Sequence, residues 1–225
     1  MIPSAVGSTE VACHAQPILD LLKELGVSTI DDKSLYLQQE DTMSTAVSTE
    51  TSTWNIDPAH STAQFKVKHM MISNVKGEFT KISGKLELDP SNITKSHVEA
   101  SIDATSINTR EADRDTHLKS ADFLDVEKFP NLSFKSTRIS KEGEGELSVE
   151  GDLTMHGVTR KVVFEVEGPS AAAKDPWGNV RIGLSATTRV NRKDFGLNWN
   201  AVLEAGGILV GEEVAISLDV EFVKV

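Results

Sequence analysis

Apolar and polar residues alternate with a period of two through most of the chain from Trp54 onward. Ala63–Lys68 (AQFKVK) follows the rule, and Ile82–Leu88 does if Gly84 is taken as a small inward residue. Val98–Ala104 repeats it. The clearest run is Val214–Phe222, where Val214, Ile216, Leu218, Val220 and Phe222 share one side. Strict alternation predicts strands with one dry and one wet face. Further strands are predicted over Asn131–Ser140, Glu146–Met155, Arg160–Glu167 and Asn179–Arg192. Turn residues separate them at Asp89-Pro90-Ser91-Asn92, Glu142-Gly143-Glu144-Gly145, His156-Gly157 and Asp175-Pro176-Trp177-Gly178.

This pattern amounts to about eight strands, mostly antiparallel, several longer than the usual five or six residues. Either a closed barrel or a sandwich satisfies it. Long strands tilt and enclose volume, and an eight-stranded barrel is wide enough for one small ligand. The inward positions would line that space. They are Phe65 and Val67 in the first run, then Phe79, then Leu86, Phe134, Leu153 and Phe164. Ile182, Leu184, Ile216 and Leu218 complete the set. His69 keeps register with Ala63, Phe65 and Val67, so it too is expected to point inward.

One segment breaks the period. Arg110–Phe134 (READRDTHLKSADFLDVEKFPNLSF) is charged and helix-like at its start, and a helix is predicted over Thr109–Ser120. Asn108 stands where a cap belongs and Glu111 three residues on, as in a capping box. Arg114 and His117 fall on one helical face. The plain reading of Arg114, Asp115 and His117 is a solvated helix with an internal ion pair. The sharper one is a polar rim meeting a ligand head group, where a guanidinium can grip phosphate or carbonyl oxygens. Phe123, Leu124 and Phe129 follow and would hold the segment down as a cover. The run from Phe195 to Val210 is unusually apolar for a loop, which suits a barrel end folded inward.

Residues 1–53 differ from the rest. Pro17–Leu25 suggests a short helix ending at Gly26, and 42–53 (TMSTAVSTETST) has linker composition. Two readings stand for residues 1–42. They are a true extension, or a mis-assigned start. Gln39-Glu40-Asp41 can be encoded CAG-GAG-GAC, which contains the ribosome-binding string AGGAGG just ahead of Met43. The domain proper is taken as 54–225.

The 225-residue chain carries a net charge of −11, with two lysines against eight acids in residues 1–53. That balance disfavours nucleic acid and anionic membranes as partners. Cys13 is the single cysteine, so no intrachain disulfide forms. No apolar run reaches the length of a membrane span and no secretory signal precedes the domain, which together predict a cytoplasmic protein without stable membrane insertion.

Candidate chemistry is thin. Asp57, His60 and Ser61 hold the side chains of a hydrolase relay, but within five positions around Pro58 they cannot converge as that relay requires. A turn in which Asp57 and Ser61 bond nearby backbone is the simpler reading. No two histidines of the domain have the spacing of a helical metal site.

Several motifs recur in order across the domain. They are Trp54-Asn55-Ile56-Asp57-x-x-His60-Ser61, Phe65-x-Val67-x-His69-Met70 and Val75-x-Gly77-x-Phe79, then Arg114-Asp115-x-His117-Leu118, Asp122-Phe123-Leu124-Asp125 and Phe129-Pro130. Gly151-x-Leu153-Thr154-x-His156-Gly157-Val158 and Asp194-Phe195-Gly196-Leu197 close the series. In this order they resemble the YceI-like family, lipocalin-like proteins that bind polyisoprenoids. The resemblance implies an all-β fold, an extended antiparallel eight-stranded barrel with one covering helix. It also implies an apolar pore for an isoprenoid, a quinone or a similar amphiphile, no catalysis, no cofactor or required metal, and frequent homodimers. The expected function is binding, transport or storage of such a lipid. Two alternatives remain, a lipid-processing hydrolase using Arg114, Asp115 and His117, and a structural or stress protein whose core is filled.

Overall fold

The computed structural model describes residues 50–203 and 207–225. The sequence-predicted helix at 17–25, Met43 and most of the linker lie outside them. Ser52 and Thr53, assigned to the linker, instead open the first strand, β1 (Ser52–Ile56).

Twelve strands build eight staves. β1 continues past the 3₁₀ turn Pro58–His60 into β2 (Thr62–His69). β3 (Ser73–Phe79) continues into β4 (Ile82–Leu88), and β5 (His97–Asp103) continues past Ala104–Ser106 into the two-residue β6 (Ile107–Asn108). Each break falls at the same height: Ser106 accepts the Thr80 amide through its carbonyl and the Lys81 amide through its hydroxyl. The remaining staves are β7 (Asn131–Gly143), β8 (Glu146–Met155), β9 (Val158–Glu167), β11 (Val180–Asn191) and β12 (Val210–Lys224). β10 (Ala173–Lys174) only pads the edge of β11.

Neighbouring staves pair antiparallel in chain order, and β12 returns to both β1 and β2, which closes the ring. The result is the closed barrel, one of the two architectures the alternation permits. Ladder length varies around the wall. β11 and β12 pair from Arg181↔Val223 to Asn191↔Glu213, whereas β9 and β11 pair only over Ser185–Thr187.

The strand directions sort the connections into two ends. One carries the β2–β3 turn, the segment from β6 to β7, the His156-Gly157 turn and the β11–β12 connection. We call it the lid end. The other carries the β4–β5, β7–β8 and β9–β11 connections and the chain's last residue. Helix α1 (Ala112–Lys119) crosses the lid end and begins later than the sequence predicts. Asn108 does not cap it: its side chain accepts the Arg110 amide in a local turn, and Glu111 occupies the cap position without a side-chain bond. Two apolar clusters make up the barrel interior, one around Phe164 and Phe195 toward the lid, the other around Trp54, Ile182 and Phe222 toward the far end.

Candidate functional site

The inward faces of the staves enclose a cavity of about 260 Å³ that runs between the two clusters. Of its lining residues only Gln64, Ser96, Ser133 and Arg192 are polar, and their polar atoms contribute almost none of the wall. A void larger than a few waters is rare in a packed interior, and an apolar one stays dry. Aromatic rings set its shape. Phe65 and Phe79 sit 5.8 Å apart between centroids, and Phe134 meets Phe164 edge-on at 5.1 Å. Two glycines make room for these rings. A Cβ on Gly77 would fall 2.4 Å from Phe65 Cζ, and one on Gly151 2.4 Å from Phe134 Cζ.

Phe65, Val67, Phe79, Leu86, Phe134, Leu153 and Phe164 stand on this wall, as do Leu184, Ile216 and Leu218. Two residues expected there do not. His69 occupies the last rung of the β2–β3 ladder, opposite Ser73, and is not among the residues that line the cavity. Ile182 is inward and buried but packs into the Trp54 and Phe222 cluster.

The polar triplet is also off the wall. Asp115 accepts from the amide (2.8 Å) and hydroxyl (2.6 Å) of buried Thr109. Arg114 Nε donates to the same hydroxyl at 2.8 Å and its Nη2 to the Thr109 carbonyl at 3.1 Å. These bonds latch α1 onto β6 and leave neither side chain aimed at the cavity. His117 Nε2 lies 2.8 Å from Asp122 Oδ2, and its ring packs edge-on against Trp199 and Phe123 at 4.6 and 5.1 Å. Arg114 and Asp115 thus fasten α1 to Thr109. What reaches the cavity from this segment is apolar: Leu118, Phe123 and Leu124.

Sequence reasoning missed Arg192. Only 3% exposed, it donates from Nε to the Gly211 carbonyl (2.9 Å), from Nη1 to that of Leu197 and from Nη2 to that of Val210 (3.3 Å). No carboxylate pairs with it among the described residues. Burial pushes its guanidinium below the ordinary arginine range, against a weaker pull from Glu212. Its stem lines the cavity while its head ties the β11–β12 connection down. The signal was available, because Arg192 keeps the inward parity of Ile182, Ala186 and Val190. Asn200 completes this fastening, with Nδ2 donating to the Val210 carbonyl and Oδ1 accepting the amides of Leu209 and Val210.

A second polar cluster lies toward the far end. Asp57, His60 and Glu221 bring one ligand atom each within 4.8 Å, as a divalent cation would need. Arg181 already occupies the cluster. Its Nη1 donates to Asp57 at 2.6 Å and to Glu221, and its Nε to Asp175 at 2.7 Å. The hydrogen bonds from Arg181 and then His60 hold Asp57 at about 2. Asp57 also accepts the Ala59 amide, and Ser61 bonds the backbone of Glu221, so these residues build a turn and a strand junction.

The YceI-like domain matches residues 54–222. A UPF0312 protein of Vibrio cholerae is 44% identical over 139 residues, 62% of this chain and 73% of that protein. One from Staphylococcus aureus is 35% identical over 169 residues, 75% and 96%. Among solved structures, Burkholderia cenocepacia BcnA has a TM-score of 0.63 at 21% identity, covering 74% of this chain and 98% of its own. A polyisoprenoid-binding domain from Saccharophagus degradans, implicated in plant cell wall breakdown, has 0.56 at 14%, covering 76% and 98%. These two likenesses concern the fold. The family match runs from Trp54 in the first strand to Phe222 in the last, and the chain belongs to the YceI-like family.

Proposed function

We propose that this domain is a non-catalytic carrier or store that holds a long-chain isoprenoid or quinone-type lipid in its barrel. The observation that carries the reading is the cavity of about 260 Å³ with an almost wholly apolar wall. Burial of a hydrocarbon chain there contributes about 0.8 kcal/mol per CH₂. Since almost no polar atom reaches the wall, a head group stays outside and the chain enters tail first. The volume of about 260 Å³ falls just below the usual range of ligand pockets, about 300–1,000 Å³, so a long chain is only partly housed, or the lid moves. The polyisoprenoid-binding neighbour supports the ligand class.

A hydrolase acting through Arg114, Asp115 and His117 has less support, because their polar atoms are bonded to Thr109 and Asp122. A filled core has less support because the void exists. A cytoplasmic carrier with no cofactor is the simplest form of the proposal. Organic extraction of the purified protein followed by mass spectrometry tests it. A bound apolar-chain lipid is expected, and a barrel that stays empty after exposure to such lipids contradicts it.

A further inference from the structure

We propose that the lid end docks on an anionic lipid surface, the β2–β3 turn entering the interface and Lys66, Lys68 and Lys76 meeting the headgroups. The turn is Met70-Met71-Ile72, exposed to 38, 63 and 79%. Met70 and Met71 hold φ of 52° and 59°, the left-handed pair of a tight hairpin where Asn-Gly is the easy choice. Two methionines there cost backbone strain and place two thioether chains in water. Folding explains neither feature. The Met70 amide bonds the Leu209 carbonyl at 2.8 Å, which ties the turn to the β11–β12 connection, and that connection exposes Val202 to 87%.

Behind this apolar tip lies a basic face. Lys66, Lys68 and Lys76 occupy outward, exposed positions of β2 and β3, and Lys66 stands directly opposite Lys76. Like charges facing across a ladder destabilise it. Among the described residues no carboxylate lies within 4.0 Å of any of the three ammonium groups, while the nearby acids Glu212 and Glu213 are engaged by Lys193 and Arg189. A chain of net charge −11 thus carries a local positive face. Whole-chain charge predicts repulsion from anionic membranes; at these distances the local face governs, since fields are screened within about 10 Å. An apolar tip flanked by free lysines is the combination that seats interfacial elements on anionic lipid. No helix among the described residues is long and apolar enough to span a bilayer. The lid segment shares this end, so a lipid passing Phe123 would meet the bilayer directly. That last step rests on the carrier reading; the docking does not.

The test is sedimentation of the full chain with phosphatidylcholine vesicles, with and without phosphatidylglycerol. Binding is expected only with phosphatidylglycerol, and is lost as salt is raised. Each of Lys66→Gln, Lys68→Gln and Lys76→Gln weakens it about fivefold. The pair Met70→Asn and Met71→Gly suits the turn better than the native residues, so the fold is retained while affinity falls about tenfold or more. Indifference to phosphatidylglycerol, or unchanged binding by the turn pair, overturns the proposal. So does a turn-dependent dimer with no vesicle binding, which assigns the patch to a second copy of the chain. Lipid content read in parallel separates the two hypotheses, because an empty barrel that still docks rejects the carrier and keeps the docking.

Discussion

At the scale of single residues, the inward parity of β11 carries a cation to its end. Arg192 has neutral carbonyls as its only partners among the described residues, and it satisfies acceptors that the β11–β12 connection would otherwise bury unpaired. Arg192→Met strips the Leu197 and Gly211 carbonyls, while Val210 keeps its bond from Asn200. Relief of the buried charge offsets part of the loss, leaving a destabilisation of about 1–3 kcal/mol in urea unfolding. Gly151→Val tests the packing of the cavity from outside it. The new side chain must displace the Phe134 ring and the Lys135 carbonyl, which its Cβ would meet at 2.5 Å, at a cost of about 3 kcal/mol or more and with altered retention of any bound lipid.

At the scale of elements, the lid is apolar where it works and polar where it is fixed. Phe123, 7% exposed, touches the cavity and stacks with Trp199 at 5.2 Å, whereas Arg114 only serves the Thr109 latch. Phe123→Asp therefore costs more lipid retention than Arg114→Ala, measured by extraction from equal amounts of folded protein. The opposite order would return the polar triplet to the centre of the site. The sequence exposed these elements unevenly. Long alternating runs such as β8 and β12 were plain, because period two survives wherever one face is dry. β1 hid in a polar stretch of linker composition, β3 hid because Phe65 forces a glycine at its inward position 77, and β6 is too short to show a period. The cavity wall was legible as parity. The fastenings at Thr109, Arg192 and Asn200 were not, because they depend on which loops meet at one end of the barrel.

At the scale of the whole molecule, Arg181 joins β1, the Asp175 turn, β11 and β12 where the ring closes. Asp57 is held at about 2, below its ordinary 3.8, so its contribution to stability is complete above the ordinary value and is lost as pH falls toward 2. Asp57→Asn should flatten the acid limb of the stability profile between about pH 4 and 2, read from urea midpoints at each pH. An unchanged slope would mean that other carboxylates set the acid limb. The closed ring encloses the void, and function rests on whether that void holds lipid. The most direct measurement is mass spectrometry of organic extracts from the native chain and from Ala186→Phe, a substitution that projects a ring into the cavity. The carrier reading predicts an apolar-chain lipid with the native protein and its loss from a folded variant. A native barrel that is empty, or a variant that retains the same lipid, would contradict it.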